Sequence, residues 1–157
     1  GTGNMKFMMN GALTLGTLDG ANVEIDNLVS RENTVIFGMT VEEVDANRKN
    51  GYNAFNELSN QPKLKKVVES LIKPVYHTNP DEFKAIYDEL MYRNDEYFLI
   101  ADFQAYVDAH QEVQKRYADR RYWAKMALTN IAKSGYFSSD RTITQYAEDI
   151  WKIYPLK

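Results

Sequence analysis

Apolar positions follow two rhythms along this chain, short runs near the start and helical stripes after about residue 40. Residues 4–10 read as a short helix, with Asn4 as N-cap and Gly11 as its stop. Residues 13–18 and 34–37 are β-prone runs bounded by glycine, suited to buried strands, and residues 21–29 between them supply a helical crossover. Thr40-Val41-Glu42-Glu43 has the spacing of a capping box, a hydroxyl followed three residues later by a carboxylate. Residues 62–72 open on Pro62 and place Leu64, Val67, Val68, Leu71 and Ile72 on one helical face. Pro80-Asp81 opens a further helix to about Tyr92, and residues 98–101 read as a third strand. From 103 to 154 the pattern is helical throughout. Tyr106, Val107, Val113 and Tyr117 share one stripe, and Trp123, Ala127, Leu128 and Ile131 another. Ser134-Gly135 ends a helix, and Asp140 caps the last one, with Ile143, Tyr146, Ala147, Ile150 and Trp151 facing inward. The predicted class is α/β and helix-rich, with too little sheet for a complete doubly wound domain. Half such a domain fits better.

Composition sharpens the division. Five of the eight glycines fall in the first twenty residues, while all eleven tyrosines lie from Tyr52 onward. Clustered glycine marks tight turns or a ligand held against the backbone, so chemistry is sought at the start of the chain and packing later. At 157 residues, 44% hydrophobic and 26% charged, the chain suits one ordinary globular core. Nineteen basic against 22 acidic residues give a net charge of -3, which argues against a protein that holds nucleic acid by neutralising phosphates. With no cysteine, disulfides, thiolate metal sites and cysteine nucleophiles are excluded, and a cytoplasmic setting fits. No run reaches the roughly 20 apolar residues of a membrane-spanning helix. The opening Gly1-Thr2-Gly3-Asn4 has no initiator Met or signal core, and the chain reads as cut from a longer protein.

Gly1-Thr2-Gly3-Asn4-Met5-Lys6 puts small residues and free amides at a predicted helix start, a setting that favours an anion. Thr2 adds a hydroxyl. Lys6 falls in the predicted first turn, where the helix dipole disfavours a cation and so favours the uncharged amine that condenses with aldehydes. A phosphate site beside such a lysine suits a phosphorylated aldehyde cofactor, pyridoxal 5′-phosphate. The same residues also suit a plain turn with a solvated lysine. A nucleotide P-loop is rejected because Met5 precedes Lys6 and Phe7 follows it. The dinucleotide pattern fails because Lys6 stands at the third glycine. His77 and His110 share no metal spacing, and no metal site is expected. The basic residues Lys115, Arg116, Arg120 and Arg121 are interleaved with Asp108, Glu112 and Asp119, which reads as a solvated helix face. Asp19 and Glu24 read as turn and packing residues, and Ser138-Ser139-Asp140 as helix capping.

Residues 1–24, from Gly1-Thr2-Gly3-Asn4-Met5-Lys6-Phe7 through Asp19-Gly20-Ala21-Asn22-Val23-Glu24, closely resemble the pyridoxal-phosphate signature of the α-glucan phosphorylases (glycogen, starch and maltodextrin). Ile36-Phe37-Gly38, Gly51-Tyr52, Ala101-Asp102-Phe103 with Tyr106, and Phe137-Ser138-Ser139-Asp140-Arg141-Thr142-Ile143 resemble that family in the same order. The resemblance implies that Lys6 carries pyridoxal 5′-phosphate as a Schiff base. It implies that Thr2 and Gly3 lie against the cofactor phosphate, and Gly1 and Thr2 against substrate glucose and phosphate. It implies that residues 1–157 are the C-terminal part of the cofactor-binding C-terminal domain of a two-domain glycosyltransferase B-type enzyme. The chain would form the C-terminal half of a Rossmann-like domain, with the N-terminal domain and upstream half-domain absent. The implied activity is release of glucose 1-phosphate from the non-reducing end of an α-1,4-glucan by inorganic phosphate, in a cytoplasmic homodimer. The upstream glucose-contacting and phosphate-clamping residues are missing, so the chain alone is expected to be inactive. A pyridoxal-phosphate enzyme of another class, such as an aminotransferase, and a non-catalytic helical module are the alternatives.

Overall fold

The computed structural model describes residues 2–75, 79 and 81–154. In chain order its elements are α1 (Gly3–Met9), β1 (Leu15–Gly16), α2 (Ala21–Val29), β2 (Val35–Ile36), α3 (Val41–Lys49), α4 (Ala54–Ser59), α5 (Pro62–Ser70), α6 (Lys84–Met91), α7 (Phe103–Ala118), α8 (Arg120–Lys133) and α9 (Ser139–Gln145). A 3-10 turn, Ser134–Phe137, joins α8 to α9, and a π-helical segment, Tyr146–Trp151, follows α9. The protein is thus helix-rich with a small parallel sheet. Two compact units divide the residues: 1–36 with 109–157, and 37–108.

In the first unit, β1 and β2 pair in parallel, Leu15 opposite Val35 and Gly16 opposite Ile36. Parallel neighbours need a crossover, and α2 supplies it where the pattern places it. The strands are two residues each, shorter than predicted. Met8, Ile25 and Val29 form the core, with Leu28 and Phe137 packed on it. Gly11 ends α1 at φ +80°, and a Cβ there would stand 3.2 Å from the Ile131 side chain, so this glycine answers both a left-handed turn and close packing on α8. Asp26 is buried but satisfied: it accepts from the Thr34 hydroxyl at 2.7 Å and pairs with Arg31 at 2.9 Å. The α8 face that is buried carries Met126 and Asn130, where the Asn130 amide donates to the Asn33 carbonyl at 2.9 Å. Leu128, on the predicted apolar stripe, is exposed.

The second unit packs Ala54, Leu58, Leu64, Val68, Met91 and Ile100 into one core. The capping box of α3 forms as spaced: the Thr40 hydroxyl accepts from the Glu43 amide and the Glu43 carboxylate from the Thr40 amide. α4, absent from the sequence reading, is capped by Asn53, whose side chain accepts from the Asn56 amide at 2.9 Å. Pro62 starts α5 as predicted, but Val67 points outward. Residues 98–101 form a turn rather than a third strand. Phe98 has φ +57°, and the Asp95 carboxylate takes the Leu99 and Ile100 amides at 3.0 and 2.7 Å. Donors held that way cannot join a ladder. α6 begins at Lys84, later than predicted, and Pro80 lies outside the described residues.

From Ser139 to Trp151 the chain is helical, ending three residues short of the predicted bound, with its apolar face turned out. Ile143, Tyr146, Ile150 and Trp151 are all exposed. Ser138, rather than Asp140, caps α9, accepting from the Arg141 amide at 3.1 Å.

Candidate functional site

α1 starts at Gly3, two residues before the start implied by an Asn4 cap, and the Asn4 side chain is committed elsewhere. Its Oδ1 accepts from the Met5 amide at 2.9 Å and its Nδ2 donates to Asn22 at 3.1 Å. Thr2 takes the cap position with its hydroxyl making no capping bond, so that donor is free for the surface it faces. Lys6 is the fourth of seven helical residues and falls in the last turn. The first-turn placement used to argue for an uncharged amine is therefore corrected, since the dipole acts within the terminal turns. The Lys6 amide bonds the Thr2 carbonyl at 3.2 Å, which stacks the two side chains on one helix face.

That face is one wall of a cavity of about 330 Å³ lined by Thr2, Met5, Lys6, Met9, Ser134, Gly135, Phe137 and Ser138. Its size is at the lower end of the ~300–1,000 Å³ typical of small-molecule sites. The far wall is the 3-10 turn, fastened from α9. The Arg141 guanidinium lies over the Tyr136 ring at 4.0 Å and donates to the Tyr136 carbonyl. Ser138 adds an amide bond to the Gly135 carbonyl at 3.1 Å. Lys6 is the single charged residue among those lining the cavity, beside three hydroxyls and the apolar Met5, Met9 and Phe137. One cation, no carboxylate, hydroxyl donors and apolar walls suit a flat aromatic aldehyde bearing a phosphate. The residues present fit pyridoxal 5′-phosphate.

Gly3 lines a different cavity, of about 600 Å³, with Asn4, Phe7, Ala12, Leu13, Thr14, Leu15 and Asn22. The structure thus brings Thr2 and Lys6 together and sets Gly3 on the other side of α1. Gly1 lies outside the described residues. The far-wall residues escaped the sequence reading because Ser134-Gly135 signals only a helix end. Asn22, inside the signature run, carried no local signal of its partner eighteen positions away.

The remaining sequence candidates have structural employment. Asp19 accepts from the Thr17 hydroxyl at 3.1 Å. Arg116 pairs with Glu112 and donates to the Thr34 carbonyl at 3.1 Å, and Arg120 lies over the Tyr117 ring at 3.9 Å. His110 sits exposed on α7 beside Gln114, and His77 lies outside the described residues. Among the described residues no helix is long and apolar enough to cross a membrane.

Fold and site together define a helix-rich α/β protein whose glycine-rich opening presents a lysine and a threonine to a small cavity. Comparison with known proteins narrows this. The family described as carbohydrate phosphorylase matches residues 1–153, and the chain belongs to that family. It is 47% identical to the glycogen phosphorylase of Bacillus subtilis over 99% of this chain and 20% of that protein. It is 49% identical to the glycogen phosphorylase of Synechocystis over 99% of this chain and 18% of that protein. To the human muscle form it is 47% identical, over 99% of this chain and 18% of that protein. The chain spans about a fifth of the length of these relatives.

Proposed function

We propose that this chain is the C-terminal part of the cofactor-binding domain of a two-domain, glycosyltransferase B-type α-glucan phosphorylase. Lys6 holds pyridoxal 5′-phosphate covalently, and the Thr2 hydroxyl, on the same cavity, faces its phosphate. The observation that carries the reading is the shared cavity of Thr2 and Lys6, at the head of a chain that matches the carbohydrate phosphorylases over residues 1–153. Relatives named glycogen phosphorylase point to a storage α-1,4-glucan as substrate, with inorganic phosphate as the second.

In the intact protein the reaction releases glucose 1-phosphate from the non-reducing end, in the cytoplasm and as a homodimer. Held by Lys6 and Thr2, the cofactor would supply a phosphate able to act as proton donor and acceptor toward the substrate phosphate. The work of this chain's residues is to bind and orient. Lys6 tethers, Thr2 donates a hydrogen bond, and Met5, Met9 and Phe137 exclude water from the apolar side. Lys6 is an anchor here, which separates this reading from an aminotransferase, where the lysine also shuttles protons.

The test is borohydride reduction of the intact protein followed by mass spectrometry of the peptide carrying Lys6. A pyridoxyl addition on Lys6, lost in Lys6→Ala together with glucose 1-phosphate release, is the expected result. An unmodified Lys6 peptide from the cofactor-saturated protein would overturn the reading.

A further inference from the structure

Gly16 has an ordinary φ, unlike Gly11 and Gly20, so its lack of a side chain is not needed to turn the backbone. It is needed for room. A Cβ on Gly16 would stand 2.7 Å from Nδ2 of Asn22, closer than real contacts allow. The space is filled by a carboxamide whose two ends are both engaged. Asn22 Nδ2 donates to the Thr17 carbonyl at 2.9 Å, and its Oδ1 accepts from Asn4 Nδ2 at 3.1 Å. Asn4 Oδ1 in turn accepts from the Met5 amide at 2.9 Å.

The direction of this chain is fixed from both ends. A carbonyl can only accept and an amide N–H can only donate, so neither carboxamide can turn over without losing bonds. The relay joins three places: the residue after β1, the first turn of α2 and the first turn of α1. Asn4 follows Gly3 directly and lies two residues from both Thr2 and Lys6. Fixing its side chain therefore fixes where the start of α1, and Thr2 at its cap, stands relative to the sheet.

We infer that Asn22 is a positioning residue for phosphate: through Asn4 it holds the start of α1, and with it Thr2, against the phosphate groups, and Gly16 exists to admit it. The inference rests on the phosphorylase reading above. Asn22 touches neither cofactor nor substrate in this account, and acts by holding the start of α1.

Two substitutions reach the same clamp by different routes. Asn22→Ala removes the carboxamide, while Gly16→Ala leaves it in place but pushes it out. In the intact cofactor-loaded protein, each is expected to raise KM for inorganic phosphate by about tenfold or more, since displacements of an ångström or less carry penalties of that order. KM for glucan should stay within about twofold, the pattern of a lost phosphate contact alone. Both variants should also shift the phosphorus resonance of the bound cofactor phosphate, a readout that needs no turnover. Because one clamp is broken twice, Gly16→Ala in the Asn22→Ala background should add nothing further.

Unchanged phosphate KM and resonance in either foldable single variant would overturn the inference, as would effects that multiply in the double variant. If Asn22→Ala does not fold, Gly16→Ala alone decides through the same two measurements, and Asn22→Asp, which keeps the shape but cannot donate to Thr17, decides alongside it. Borohydride labelling of Lys6 in the wild type separates the two failures. Labelled Lys6 with unaffected variants sinks this inference only, whereas unlabelled Lys6 sinks the phosphorylase reading beneath it.

Discussion

Asp95 is a carboxylate at 2% exposure, held by hydrogen-bond donors. Its oxygens accept from the Leu99 amide, the Ile100 amide and the Tyr52 hydroxyl, the last at 3.0 Å. A buried charge persists when hydrogen bonds replace its hydration. The knot also sets the backbone, since Asn94, Asp95 and Phe98 all have positive φ, a conformation that costs energy away from glycine. Burial pushes the Tyr52 hydroxyl well above the ordinary tyrosine range, and the Asp95 charge adds to it. A raised value means that the folded chain keeps this proton after the unfolded chain has lost it. The stabilisation is complete below about pH 10, the ordinary tyrosine value, and declines as pH rises above it. Tyr52→Phe should cost about 1.5–3 kcal/mol at neutral pH, the worth of a hydrogen bond to a charged group. Hydrogen exchange at the Leu99 and Ile100 amides is the local measure, and it should accelerate. The variant should also lose the extra fall in unfolding temperature that the wild type shows above about pH 10. Equal alkaline slopes would mean that Tyr52 does not hold Asp95.

Among the elements, α3 is the plainest case of a helix made by its ends. None of its residues is buried, so tertiary packing contributes little. Its support is the reciprocal Thr40–Glu43 box, acidic residues Glu42 and Glu43 in the first turn and Arg48 and Lys49 in the last, each placed to suit the helix dipole. Thr40→Ala should cost about 1 kcal/mol and show as faster amide exchange across the first turn of α3, with the rest of the second unit unchanged. This element was legible in the sequence because capping is local: four consecutive residues contain the whole interaction. The crossover α2, the Pro62 start of α5 and the Gly11 stop of α1 were legible for the same reason. Phe98–Ile100 was misread because a β-prone run does not reveal that Asp95, a few residues back, has claimed its amides. At the site, Thr2 and Lys6 share a face by helical spacing alone, which a sequence displays. The Asn4–Asn22 relay and the 3-10 wall join residues far apart in the chain, and no local pattern encodes them. The stripe Ile143, Tyr146, Ile150 and Trp151 shows the limit most clearly. Its period identified the apolar face correctly, but a period carries no information about what covers it.

For the molecule as a whole, those uncovered faces and the partial coverage of its relatives bear on one question, what this chain does alone. Phe7 is 67% exposed and Met9 59%, on either side of Lys6. Ile150 is 64% exposed and Trp151 53%, at the far end of the chain. Large apolar side chains exposed side by side suit a contact face and are otherwise an aggregation hazard. With the chain spanning about a fifth of its relatives, we propose that both faces are covered by the rest of the intact protein. On the function proposed above, a cavity of about 330 Å³ filled by the cofactor leaves no room for a glucan chain, and substrate would need a second wall. The isolated 157-residue chain is therefore expected to release no glucose 1-phosphate, to bind an apolar fluorescent dye strongly, and to associate with itself at micromolar concentration. Replacing Ile150 and Trp151 with serine should reduce dye binding and association without restoring turnover, because covering surface and completing a site are separate tasks. Phosphorolysis by the isolated chain would overturn the division of labour argued here, and weak dye binding would mean that these faces need no cover.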